Sequence, residues 1–200
     1  MRSGAVAGVI LAAGASSRMG RNKLFFEVGG ETLLRRAVRV TAEAGLDPVI
    51  VVVGHDAARA REALAGLPCR CIENPAYARG INSSVRAGIG AVPDEAVAAV
   101  VILADMPFVT ASMIATLVER FRESAAPLVI SDYGGVNAPP QLYSRSLFGE
   151  LLGMDGEGCG KQVVKRHRDE AIGVSWPADA LTDVDVPEDY ERLKDVIAAR

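Results

Sequence analysis

Residues 8–23 read GVILAAGASSRMGRNK: an apolar run, small residues from Ala12 to Ser17, then Arg18 and Lys23. Small residues at the end of a strand let backbone N–H groups approach phosphate oxygens, and consecutive amides form a concavity that holds anions. Arg18 adds a planar fork matched to phosphate, and Lys23 a mobile point charge. Leu11, Ala12, Ala13 and Gly14, with Arg18 and Lys23, are therefore the candidate seat of a nucleoside triphosphate. Two familiar phosphate loops do not fit. A G-x-x-x-x-G-K-[ST] loop would need glycine where Met19 stands, and a G-x-G-x-x-G fingerprint would need glycine at Ser16.

Further along, Asp105 follows the apolar run AVVILA (99–104). A carboxylate at the end of a buried strand can serve Mg²⁺, a hard ion that usually bridges one or two carboxylates to substrate phosphates. It can also be a helix cap or an ion-pair partner, although Met106-Pro107 indicates a fixed turn. In TDVDVP (182–187), Asp183 and Asp185 fall on one face of an extended segment and offer a second carboxylate. Gly80, Ser83 and Ser84 stand at the start of a helical pattern, where hydroxyls either cap the helix or bond a nucleoside. His55 and His167 are the only histidines, and neither has a serine or cysteine setting that suggests a triad.

These groups sit in a chain of 200 residues, half of them hydrophobic and 24% charged, a composition that suits one folded domain. A formal charge of −3 supplies no general attraction to nucleic acid or anionic lipid, so an anion must be met by a local cluster. Three cysteines, two of them in CRC (69–71), make neither a disulfide framework nor zinc-ligand spacing; Cys69 and Cys71 are expected on one strand face, and a reducing compartment fits. The small-residue N-terminus imitates a signal peptide only superficially, and no apolar run approaches membrane-spanning length. The expected location is the cytoplasm, with no membrane and no nucleic-acid partner.

The elements that must position the site are legible as alternation. Apolar runs at 7–12, 48–54, 99–105, 127–133 and 171–176 read as strands, the first four apolar on both faces as in a covered parallel sheet. Helical spacing occupies 32–44, 56–67, 110–124 and 187–198, with Thr110 as a cap and Pro187 at a first helical position. The fold class is α/β: one doubly wound, Rossmann-like domain over 1–200 with a mostly parallel sheet. Residues 134–170 break the alternation and read as an insertion or cover at the acceptor side of the sheet.

The stretch LAAGASSRMGRNK resembles the signature L-A-[AG]-G-x-S-x-R-M-G-x-x-K of nucleotidyltransferases acting on molybdenum cofactor, a branch of the sugar-nucleotide transferases. ENPAYARGINSSVRAG (73–88), ILADMPFV (102–109) and LTDVDVPEDYERL (181–193) continue the likeness in order. The resemblance implies CMP transfer from CTP to the phosphate of a molybdopterin-type cofactor, with Lys23, Arg18 and Asp105 catalytic. It implies Mg²⁺ on Asp105 and on Asp185, with Asp183 as the alternative. It favours nucleoside contact for Gly80, Ser83 and Ser84, and the alanine at 13 points to CTP rather than GTP. A molybdenum hydroxylase is the implied recipient. GEGCGK (156–161) departs from the family's G-D-x-G-A-R, with Lys161 near the position of the arginine, which leaves the acceptor open. The competing readings are a non-catalytic carrier of the cofactor and a transferase using GTP or another small phosphate.

Overall fold

The central strands form where the chain is apolar on both faces, because helices cover them above and below. The computed structural model describes residues 3–15, 22–154, 158 and 160–181. Strand β1 (Ala5–Ala12) leads to the short pair β2 (Glu27–Val28) and β3 (Glu31–Thr32) and then to helix α1 (Leu33–Glu43). β4 (Val49–Val53), α2 (Ala57–Ala63), β5 (Arg70–Glu73) and α3 (Ile81–Gly90) follow. β6 (Ala96–Leu103), α4 (Ala111–Glu123), β7 (Leu128–Tyr133), β8 (Val136–Asn137), β9 (Gln141–Ser144), α5 (Phe148–Leu152), α6 (Lys161–Arg166) and β10 (Ile172–Trp176) complete the described order.

The sheet runs β10-β7-β9-β6-β1-β4-β5, with β8 beside β7. β5, β4, β1 and β6 are parallel neighbours, as are β7 and β10, while β9 is antiparallel to both of its neighbours. The chain winds outward from β1 to β5, then returns to build β6 on the other side of β1. That reversal opens a crevice beyond the carboxyl ends of β1 and β6, where open α/β sheets bind ligands.

Residue alternation divides the core into two layers. Val6, Ile10 and Ala12 face α1 and α4, whereas Ala7, Val9, Leu11 and Ala13 face α3, α5 and α6. Two glycines set the layer spacing. A Cβ on Gly8 would lie 2.4 Å from Thr41 Cγ2 of α1, and one on Gly88 would lie 2.3 Å from Val9 Cγ1. The helix starts follow from their caps: Thr32 Oγ1 accepts from Arg35 N at 3.3 Å, and Thr110 Oγ1 from Met113 N at 3.2 Å. Cys69 and Cys71 pack against the same core layer, Cys71 within β5, and burial pushes the Cys69 thiol up to about 11.

The segment 134–170 departs from expectation. It places β9 inside the sheet, all four residues buried, and sets α5 and α6 against the α3 face. A four-residue strand after Pro139-Pro140 carries too little alternation to be read, and the prolines signal a loop. The helix expected over 187–198 lies outside the described residues. Among the described residues, no helix is long and apolar enough to cross a membrane.

Candidate active site

The tip of β1 is fastened on both sides. Ala104 N donates to Leu11 O at 3.2 Å and His55 N to Ala13 O at 3.2 Å. Leu11, Ala12 and Ala13 are buried, and the chain leaves the sheet at exposed Gly14, where an added Cβ would meet nothing within 4 Å. The end of β4 comes equally close: a Cβ on Gly54 would sit 2.8 Å from both Ala13 Cβ and Ala13 O. His55 is exposed beside this tip, its Nδ1 3.3 Å from the Tyr77 hydroxyl.

Lys23 opens a single 3₁₀ turn, Lys23–Phe25, anchored by buried Leu24. Asn22 fixes that turn from both ends of its amide. Its Oδ1 accepts from Leu24 N at 3.1 Å, and its Nδ2 donates to Asp56 Oδ2 at 2.8 Å, just before α2. The Arg59 guanidinium of α2 lies 4.0 Å from the centre of the Phe25 ring, a second tie between α2 and the turn. The lysine is thereby aimed at the neighbouring strand tip.

There it meets Asp105. Lys23 Nζ is 2.6 Å from Asp105 Oδ2, with side chains 12% and 23% exposed. Asp105 sits in the turn after β6, closed by Met106 N donating to Leu103 O at 3.4 Å. Arg36 Nε of α1 donates to Pro107 O at 2.8 Å and braces the same loop. Two residues 82 positions apart, singled out separately in the sequence, thus form one ion pair at the switch point. A polyphosphate with its cation can replace this pair by like charges: lysine to phosphate oxygen, aspartate to metal.

The loop after β5 is closed by side chains. Asn74 Nδ2 donates to Ser83 Oγ at 2.8 Å and to Ser84 Oγ at 3.0 Å, and Asn74 Oδ1 accepts from Ala76 N at 3.0 Å. Ser83 Oγ reaches Ala76 O at 3.0 Å and Gly80 O at 2.8 Å. Both hydroxyls are buried, and neither caps α3, whose N-cap is Gly80 at φ +98°. Their observed work is to lock residues 74–80 together.

Asp105 is a hard oxygen donor of the kind Mg²⁺ takes alongside substrate phosphates. Among the described residues, no three His, Cys, Asp or Glu side chains gather into a metal cage. Ser16, Ser17, Arg18, Asp183 and Asp185 lie outside the described residues. Asn22, Asp56 and Asn74, which hold the site in shape, were not singled out in the sequence. An asparagine directly before the lysine was the one available signal, and its partner Asp56 is 34 residues away.

An open, mostly parallel sheet with a small-residue loop beyond one strand, a lysine further along the chain and an aspartate beyond the neighbouring strand defines a nucleotidyltransferase-type α/β protein. Residues 8–171 match the MobA-like NTP transferase domain. The purine catabolism protein PucB of Bacillus subtilis is 29% identical over 211 residues, 97% of this chain and 98% of that protein. A probable molybdenum cofactor guanylyltransferase of Opitutus terrae is 34% identical over 130 residues, 62% of this chain and 60% of that protein. The crystal structure of Rv0371c from Mycobacterium tuberculosis superposes with a TM-score of 0.83 at 27% identity, over 98% of this chain and 100% of that one. The same protein has also been solved in complex with manganese (TM-score 0.77, 26% identity, 96% of this chain and 98% of that one). The chain belongs to the MobA-like NTP transferase family and is a nucleotidyltransferase.

Proposed function

We propose that this protein transfers CMP from CTP to the phosphate of a molybdopterin-type cofactor and releases pyrophosphate. The observation that carries the reading is the Lys23–Asp105 pair, 2.6 Å apart at the crevice between β1 and β6. The Gly14 loop and Lys23 receive the triphosphate, with Arg18 as a further cation. Asp105, with Asp185 or Asp183, holds Mg²⁺, which when bound neutralises charge on the phosphoryl oxygens. Lys23 stabilises the charge that develops as the acceptor phosphate attacks the α-phosphorus in line and the bond to pyrophosphate breaks. A phosphate monoester is already ionised at neutral pH, so no strong general base is required.

Three things support the finer assignments. The Opitutus relative is named for molybdenum cofactor chemistry, and Rv0371c has been solved with a divalent metal. The Ala13 methyl lies against Gly54 where β1 and β4 end, and an alanine at this position fits the CTP reading. Gly80 and the loop locked by Ser83 and Ser84 form the nucleoside side of the pocket.

The test is pyrophosphate release with molybdopterin-type cofactor and either CTP or GTP. Release with CTP in excess of GTP is expected. Faster release with GTP would overturn the nucleotide assignment, and none with either would overturn the molybdopterin-type acceptor.

A further inference from the structure

Helix α1 touches both halves of the Lys23–Asp105 pair. Leu33 N, in its first residue, donates to Phe26 O at 3.0 Å, and Phe26 N donates to Lys23 O at 3.0 Å, closing the turn that carries the lysine. About one helical turn further on, Arg36 Nε donates to Pro107 O at 2.8 Å, in the loop that carries the aspartate. Leu33, Leu34, Ala37 and Val38 are buried, so the helix is seated firmly and serves as a common reference for both charges.

The Arg36 side chain is oriented for that reach. It is partly buried, and its Nη1 lies 3.7 Å from Glu31 Oε1 in β3. Glu31 is held in turn by Arg39, whose Nε donates to both carboxylate oxygens at 3.1 Å. Glu31 therefore fixes the outer side of the Arg36 guanidinium while Nε faces the carbonyl.

The Asp105 loop has few other ties. Pro107 has no N–H to contribute. Met106 N reaches Leu103 O at 3.4 Å and Val109 N reaches Met106 O at 3.3 Å, both beyond the usual N–H···O range of about 2.7–3.2 Å. Among the described residues, the ion-pair partner of the Asp105 carboxylate is Lys23. When Lys23 turns to a phosphate, that tie is lost. The carboxylate is then placed by its loop alone, and the loop is braced by Arg36.

We infer that Arg36 is a positioning residue for nucleotidyl transfer: through Pro107 it holds Asp105 in place for the divalent ion once the lysine has moved to phosphate. It acts through the main chain, by a hydrogen bond rather than by its charge. The inference rests on the proposed opening of the Lys23–Asp105 pair.

Calorimetric titration of the full chain with CTP and with GTP, each with and without Mn²⁺ as the metal probe, tests it. The quantity read is the factor by which the metal tightens the nucleotide. Arg36→Met keeps the packed stem and deletes the donor. Arg36→Gln returns an N–H donor at the place of Nε without the charge. Arg35→Met is the matched control, because Arg35 Nη1 of the same helix donates to another carbonyl, Ala63 O at the end of α2, at 2.6 Å. Arg36→Met is expected to cut the tightening by about tenfold, the low end for contacts that support a metal ligand, and to leave metal-free affinity unchanged. Arg36→Gln should restore most of it, and Arg35→Met should lose none. Unchanged tightening in Arg36→Met, or an equal loss in Arg35→Met, would overturn the positioning role while the transferase reading stands. Arg36→Gln behaving as Arg36→Met would overturn it too, since charge would then be the agent. Tightening on GTP in place of CTP would overturn the nucleotide assignment, with the Arg36 comparison decided on GTP. A wild-type chain whose nucleotide affinity ignores Mn²⁺ would overturn metal binding at Asp105 and this inference with it.

Discussion

Lys23 and Asp105 are partners at 2.6 Å, and in the proposed reaction they act on opposite sides of the same charge. Lys23→Ala should lower kcat by about 10²–10³, the usual cost of one donor aimed at developing negative charge. Rapid-quench measurement of CMP transfer checks this, and a loss confined to KM would assign the lysine to ground-state binding. Asp105→Asn should keep the fold and raise the Mg²⁺ concentration needed for half-maximal rate. An unchanged Mg²⁺ titration would exclude it as a ligand. Asn22→Ala removes both the cap of the Lys23 turn and the tie to Asp56, and should cost about 1 kcal/mol of stability by chemical denaturation. The types of Lys23, beyond the small-residue loop, and of Asp105, at a strand end, were legible in the sequence. The hook from Asn22 to Asp56 was not, because no local pattern joins an asparagine to an aspartate on another element. Ser83 and Ser84 show the same limit, since two hydroxyls at a helix start do not disclose that Asn74 holds them from below.

At the scale of elements, the helices keep their positions through close approach to the sheet. Gly88→Ala would drive a methyl to 2.3 Å from Val9 Cγ1 and 3.0 Å from Val52 Cγ2, both in buried strands. The expected destabilisation is about 1–3 kcal/mol in equilibrium urea unfolding, the cost of overpacking a filled core.

Among the described residues outside the crevice, the contact between α5 and the end of α6 is pH-dependent. His167 Nε2 is 2.7 Å from Glu150 Oε1 and Nδ1 is 3.1 Å from Glu170 Oε1, while Arg166 also pairs with Glu150. The hydrogen bond to Glu150, then that to Glu170, hold the imidazole pKa above its ordinary value, and the bond from His167 holds Glu150 below the ordinary carboxylate value. The His167 contribution is full below the ordinary histidine pKa and is lost as pH rises through the raised one. That of Glu150 is full above the ordinary carboxylate pKa and is lost as pH falls through the lowered one. His167→Gln should therefore cost more at about pH 6 than at about pH 9, by no more than about 1 kcal/mol, or roughly 2–4 °C in Tm. Equal losses at the two pH values would contradict a charged clamp. The strands β1, β4, β6 and β7 were readable because burial on both faces makes them continuously apolar. β9 was not, since four residues after two prolines show no period.

At the scale of the whole molecule, the site follows from winding order. The sheet grows from β1 to β5 and then restarts on the other side at β6, so the two tips that carry the Gly14 loop and Asp105 become neighbours. Alternation of strand and helix was sufficient to expect this fold class, and the fold class was sufficient to expect the crevice. The entry of residues 134–170 into the sheet depends on long-range pairing with β6 and β7, which no window of sequence contains. The proposed transfer requires a triphosphate seated between β1 and β6. A crystal structure of the protein with CTP and Mg²⁺ tests that most directly. It should show the triphosphate along the chain from Gly14 to Lys23, with the ion on Asp105 and the Lys23–Asp105 pair opened toward phosphate and metal. A nucleotide bound elsewhere, with that pair still closed, would contradict it.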